Sequence, residues 1–280
     1  MKANTLYERL ESDFITPEMT DDWTNSMSEV EEFLSDNFKR RSIGVVCDFS
    51  DEIHKVYTAV FPSNEVMNRI LDDDAQNALL FLHHPAIWDI RNAPNVFYQM
   101  DTELLAQFKE RKISIYNLHT PLDHFGEYST SVTLARAIGI TIDKAFGPYN
   151  GALAGVLGNT TCSIEELKKT FEKAVGHHVK AYNYGNDEIT GVGVIGGGGN
   201  NSKFLEELVA ARANVMVTGI TAQSPHSQSA HDFAKEHGIS LLGGTHYSTE
   251  KFACIAMCEY FEKLGLDAEF IPEEPLFEDL

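Results

Sequence analysis

Cysteine is scarce in this chain, and the four present, Cys47, Cys162, Cys254 and Cys258, form no C-x-x-C pair. That spacing argues against a disulfide framework and against a thiolate zinc knot. Cys254 and Cys258 stand four apart on an expected helix, but their alternation with Ile255, Ala256 and Met257 marks them as core packing. Long apolar runs are missing too. No stretch of about 18 apolar residues exists, so no membrane span is expected. The opening Met1-Lys2-Ala3-Asn4-Thr5-Leu6-Tyr7-Glu8-Arg9 lacks the apolar segment of a secretory signal, which gives a cytoplasmic expectation. Positive charge is short: 22 basic residues against 42 acidic leave a net charge of -20. A surface of that sign repels phosphate backbones and lacks the basic stripe of a nucleic-acid binder. A small phosphorylated substrate stays open, because a dication in a cleft dominates the potential there. Repeats and low-complexity tracts are absent.

What is present begins with length. At 280 residues the chain has room for two domains of about 150 residues each. Strand-like segments Ile43-Cys47, Lys55-Val60, Ala78-Leu82, Ile113-Leu118, Val192-Ile195, Val215-Thr218 and Ile239-Leu242 alternate with amphipathic helical stretches, which predicts an α/β fold. Ser63 is placed to cap a helix over Asn64-Leu71, and Ser163-Ile164-Glu165-Glu166 reads as a capping box. The turn-rich Phe146-Gly147-Pro148-Tyr149-Asn150-Gly151 follows a helix over Ser131-Ile138 and suggests a boundary. The expected halves are therefore 1–147 and 148–280, with 243–280 returning to a site shared with the first half. Thr16-Asn25 and Pro272-Leu280 read as solvated extensions.

The chemistry concentrates at three strand exits. The apolar run Ala78-Leu82 leads into His83-His84-Pro85, and a proline there ends the strand and leaves the histidines at a loop edge. Ile113-Leu118 runs into His119-Thr120-Pro121-Leu122-Asp123, and Gly243-Gly244-Thr245 into His246 with Glu250 one helical turn on. Taken singly each has a plain structural reading: surface imidazoles, a turn aspartate, a first-turn acid that complements the helix dipole. Strand C-termini in an α/β sheet share one edge, so the three can converge in a cleft between the halves. His83, His84, Asp123, His246 and Glu250 then offer three nitrogen and two carboxylate donors, a mix suited to zinc, iron, manganese or nickel rather than calcium or magnesium. Adjacent residues leaving a strand point to opposite faces, so His83 and His84 are expected to serve two different ions bridged by Asp123 or Glu250.

His83-His84-Pro85, Leu118-His119-Thr120-Pro121-Leu122-Asp123 and Gly244-Thr245-His246-Tyr247-Ser248-Thr249-Glu250 resemble the signature segments of the Nif-three-like dinuclear metal centre hexameric proteins. Many members carry the label GTP cyclohydrolase 1 type 2 homologue. Val132-Gly139, Val217-Thr218-Gly219 and Ala268-Pro272 add to the likeness, which covers most of the chain from about Lys55 onward. The resemblance implies two packed α/β halves with mixed sheets, a toroidal homohexamer, and two divalent ions at the positions of His83, His84, Asp123, His246 and Glu250, zinc or iron first, manganese or nickel next. His119 matches a histidine lining that site, as a ligand, a proton carrier or, the preferred role, a neighbour that orients ligands. His231 matches a family histidine less specifically. The expected activity is metal-dependent hydrolysis of a phosphoester or cyclic C–N bond in a small molecule; the alternative is a non-catalytic metal carrier or regulatory metal-binding protein.

Three positions depart from the pattern. Phe61 stands where a strand usually ends in Leu-Asp, Ile220 where an acid often follows Thr-Gly, and Thr245 replaces the usual residue before the histidine. Gly191-Val192-Gly193-Val194-Ile195-Gly196 spells G-x-G-x-x-G, but its first glycines fall in the strand rather than the turn after it, so a dinucleotide site is not expected. The run Gly196-Gly199 reads as a strand-to-helix turn, and His177-His178 as surface residues.

Overall fold

A computed structural model describes residues 1–225 and 227–280. The chain divides into two compact units, one comprising Met1–Leu122 and Cys254–Glu273, the other Asp123–Ala253 and Glu274–Leu280. Both are α/β with a mixed sheet.

In the first unit five strands lie in the order Gly44–Cys47, Ile113–Asn117, Ala78–Leu82, Lys55–Ala59, Asp267–Phe270. All neighbours are parallel except the edge strand Gly44–Cys47. The central strand Ala78–Leu82 is buried along its whole length, as a parallel strand covered on both faces must be, which explains its unbroken apolar sequence. The register pairs Ala59 with Leu82 and Leu82 with Asn117, so three strands end level. Helix Asn64–Asp72 starts at its expected cap, Ser63, which accepts the Val66 N–H, and helix Thr102–Glu110 at Asp101, which accepts those of Glu103 and Leu104. They bury Ile70, Leu71, Leu105 and Phe108 against Leu80, Leu82 and Ile115. Cys254 belongs to this unit and is buried, its thiol donating to the Ala59 carbonyl at 3.2 Å.

The second unit holds six strands in the order Thr141–Tyr149, Ala152–Asn159, Val192–Val194, Val215–Thr218, Ser240–Gly243, Lys180–Tyr182. The three inner strands from Val192 to Gly243 are parallel, and the others run antiparallel to their neighbours. The supposed boundary at 146–151 is the tip of a hairpin inside this unit. Tyr149 pairs with Ala152 across a two-residue turn, and Asn150 and Gly151 have φ of 46° and 84°, the left-handed pair a type I′ turn needs. Pro148 is tolerated because its strand is at the sheet edge. Helix Ile164–Val175 carries the predicted capping box between Ser163 and Glu166 and buries Leu167 and Phe171.

Neither expected extension is simply solvated. Met19 is buried, the Asp21 side chain is 2% exposed, and in the tail Asp279 is fully buried. No helix among the described residues is long and apolar enough to cross a membrane.

Candidate metal centre

In the first unit the level strand ends set three imidazoles side by side. Backbone pairing continues past Leu82, with the His83 N–H donating to Ala59 at 3.3 Å and the His84 N–H to Val60 at 2.9 Å. One strand over, the Leu118 N–H donates to Leu82 at 3.1 Å, and the Asn117 amide donates to the His83 carbonyl. His83, His84 and His119 are 0%, 2% and 8% exposed, and a ring nitrogen of each lies within 4.8 Å of the others. The expected divergence of His83 and His84 does not occur. Regular strand geometry stops at Leu82, so period-two alternation no longer governs them, and their ring centroids are 4.4 Å apart.

The nitrogen each ring offers follows from its other contact. His83 Nδ1 faces the Leu118 carbonyl at 3.1 Å; a carbonyl only accepts, so Nδ1 carries the proton and Nε2 the lone pair. His119 Nδ1 faces an Asp21 carboxylate oxygen at 2.8 Å, with the same consequence. Aromatic rings wall the group: Phe61 stacks on His84 at 4.8 Å, Phe97 at 5.4 Å, and Trp23 meets His84 and His119 edge-on at 5.6 and 4.9 Å. Phe61 thus supplies an aromatic face to His84.

In the second unit the donors are Asp123, His246 and Glu250, exposed by 8%, 4% and 3%. Helix His246–Lys263 begins at the end of strand Ser240–Gly243, and i, i+4 spacing brings His246 Nε2 to 3.2 Å from Glu250 Oε1. Thr245 caps this helix, its hydroxyl accepting the Ser248 N–H at 3.1 Å while Ser248 Oγ accepts the Thr245 N–H at 3.0 Å. That reciprocal cap gives Thr245 a local purpose. The His246 N–H donates to an Asp279 carboxylate oxygen at 2.8 Å, so the tail satisfies another first-turn donor. Asp123 accepts from the Thr130 hydroxyl at 2.7 Å and holds a carboxylate oxygen within 4.8 Å of one from Glu250.

Gly197 forms the floor beside Glu250. A Cβ there would lie 2.1 Å from Glu250 Oε1 and 3.1 Å from His246 Cδ2, and its φ of +66° is left-handed. Only glycine meets both demands. Its N–H donates to Thr249 Oγ1 at 2.9 Å, and its carbonyl accepts from Gly219 at 2.8 Å. The glycine run is therefore a close-approach turn. Gly191 and Gly193 likewise sit against Ala213 and Leu208, which accounts for the G-x-G-x-x-G spelling by packing.

A family model described as Duf34/NIF3 (NGG1p interacting factor 3) matches residues 23–275. The chain belongs to the Duf34/NIF3 family. A GTP cyclohydrolase 1 type 2 homolog of Borreliella burgdorferi is 24% identical over 250 residues, covering 88% of this chain and 94% of the relative. One of Pyrococcus horikoshii is 27% identical over 227 residues, covering 78% and 84%. Among solved structures, reduced HcgD from Methanocaldococcus jannaschii matches with a TM-score of 0.68 at 24% identity over 98% of each chain. Staphylococcus aureus hypothetical protein SA1388 matches at 0.70 with 19% identity over 99% of each. These likenesses carry the fold.

Within this Duf34/NIF3 chain, each unit's donors are of a kind that suits a divalent transition ion: in the first, three buried imidazoles, two of them with Nδ1 facing an acceptor; in the second, an imidazole and two carboxylates beside a glycine floor. His231 is different. Its Nε2 faces the Thr221 carbonyl at 3.0 Å and its Nδ1 the Tyr184 hydroxyl at 3.1 Å, so both ring nitrogens already serve the fold of the second unit. His178 stacks on Phe277 at 5.0 Å and His177 meets the same ring at 5.3 Å, which anchors the tail. Sequence reasoning missed Asp21, Trp23, Gly197 and Asp279. The only signal is an Asp-Asp-Trp cluster in a segment without apolar periodicity, and a glycine run that reads as a strand-to-helix turn.

Proposed function

We propose that this chain is a dinuclear divalent-metal-binding protein that uses His83, His84, Asp123, His246 and Glu250 together, and that it hydrolyses a phosphoester or cyclic C–N bond in a small molecule. The observation that carries the reading is the buried cluster of His83, His84 and His119, whose lone-pair nitrogens at His83 and His119 are fixed by partners on the other ring nitrogen. Bound ions, zinc or iron first, would supply Lewis acidity toward the oxygen that gains charge. His119 Nε2 takes and returns a proton during the reaction, and Phe61, Phe97 and Trp23 keep bulk water from His84. A cytoplasmic homohexamer is the assembly this reading implies.

The second reading, a metal carrier or regulatory metal-binding protein, is favoured by one observation: the imidazoles are 8% exposed or less and walled by aromatic rings. Protein loaded with ions and quantified by mass spectrometry should hold two per chain and turn over a phosphoester panel or GTP. The doubly substituted His84→Ala, Glu250→Ala protein should lose both metal and turnover. Turnover retained by that protein sinks the hydrolase; two ions held with no turnover on any substrate selects the carrier.

A further inference from the structure

We infer that Asp21 is a positioning residue for His119, holding its ring in the Nδ1–H tautomer so that Nε2 is presented beside His83 and His84. The inference rests on the metal-binding reading for its purpose, but its geometry stands within the first unit alone. The Asp21 side chain is 2% exposed, and a carboxylate is not buried to that degree without partners that hold it. Its partners are all at one place. Oδ1 lies 2.8 Å from His119 Nδ1 and accepts from the Thr120 hydroxyl at 2.9 Å, while Oδ2 accepts the Thr120 N–H at 3.2 Å. The residue that follows the histidine therefore grips both oxygens, leaving the carboxylate no freedom to rotate away from the ring.

The segment that carries Asp21 is fastened on either side. Met19 and Met27 are buried, and Thr24 N–H and Oγ1 both meet Ser42 Oγ, at 3.1 and 3.0 Å. Two residues on, Trp23 packs edge-on against His119 at 4.9 Å and against Phe97 at 4.9 Å, which fixes the ring from a second direction. A carboxylate on the remote nitrogen of an imidazole raises the basicity of the near nitrogen and selects its tautomer, whether that nitrogen binds an ion or carries a proton. The sequence gives no hint of this pairing, since the partners are 98 residues apart.

The test is a cycle of Asp21→Asn, His119→Ala and the double variant, with Asp21→Glu as rescue. Long-range proton–nitrogen correlation spectra of the metal-free protein at alkaline pH report the His119 tautomer directly. Wild type and Asp21→Glu should show the proton on Nδ1, and Asp21→Asn a mixture or the reverse. Zinc titration by calorimetry should show Asp21→Asn weakened no more than His119→Ala is, with no further loss when the two are combined. Unchanged His119 shifts in Asp21→Asn overturn the inference. So does a loss of zinc affinity as large in the His119→Ala background as in wild type, which marks a general loosening of the fold. A wild-type protein that binds no zinc refutes the metal-binding reading instead, and the tautomer spectra still decide the role of Asp21.

Discussion

The two units present their donors by opposite means. In the first unit three imidazoles are lined up by neighbouring strands and held by ring contacts, so their placement depends on sheet register and on Phe61, Phe97 and Trp23. In the second, His246 and Glu250 come from a single helix turn, and their placement depends on caps, hydroxyls and a glycine floor. The first arrangement supplies imidazoles in an aromatic wall, the second an imidazole and two carboxylates in a polar one. The lesson is that one kind of chemistry can rest on two unlike supports, and each should fail to a different insult.

The sharpest way to break the second support is Gly197→Ala. The new methyl meets Glu250 Oε1 at 2.1 Å with a left-handed backbone, so a loss of about 3 kcal/mol is expected from strain and overpacking. Denaturant unfolding measures it, and zinc affinity should fall with it; a wild-type midpoint would show that Glu250 can move aside freely.

A subtler probe addresses the first unit. The Glu273 carboxyl, enclosed although the residue as a whole is half-buried, accepts the Phe61 N–H at 3.1 Å, and burial pushes its pKa up to about 8. Phe61 in turn lies on His84. A carboxyl whose folded pKa is raised favours the folded state most when protonated. Its contribution is therefore full below the ordinary glutamate range and is lost as pH rises toward about 8. Glu273→Gln should remove that slope, matching wild type in acid and exceeding it progressively as pH rises toward about 8. Melting curves of the metal-free proteins across this range check it, and parallel curves would refute it.

The smallest effect belongs to Asp279→Ala. Losing the acceptor for the His246 N–H should cost about 1 kcal/mol, the size of a helix cap, and should lower zinc affinity without disturbing the His119 tautomer. If His119 shifts as well, the two supports are less separable than drawn.

How much of this was legible beforehand follows the range of the interactions. Ala78–Leu82 and Val215–Thr218 could be read to the residue, because a buried strand is an apolar run. Ser63, Ser163 and the i, i+4 pair His246 and Glu250 were legible for the same reason, as their partners lie within one turn. The hairpin strand Thr141–Tyr149 was not, since an edge strand with most residues exposed shows no alternation and tolerates Gly147 and Pro148. Asp21 and Asp279 were hidden because a buried carboxylate in a polar segment looks like a solvated one until its partner, far along the chain, is known.

His83 and His119 follow the ends of two adjacent strands that finish level, and adjacent strands lie about 4.8 Å apart in any sheet. The spacing of these imidazoles is thus inherited from peptide hydrogen bonding, a length shared by every β-protein, and needs no ion to create it. On the metal-binding reading, an ion arriving there would meet imidazoles already in place, so little ordering entropy would oppose its capture, and its release would report on the integrity of the sheet itself.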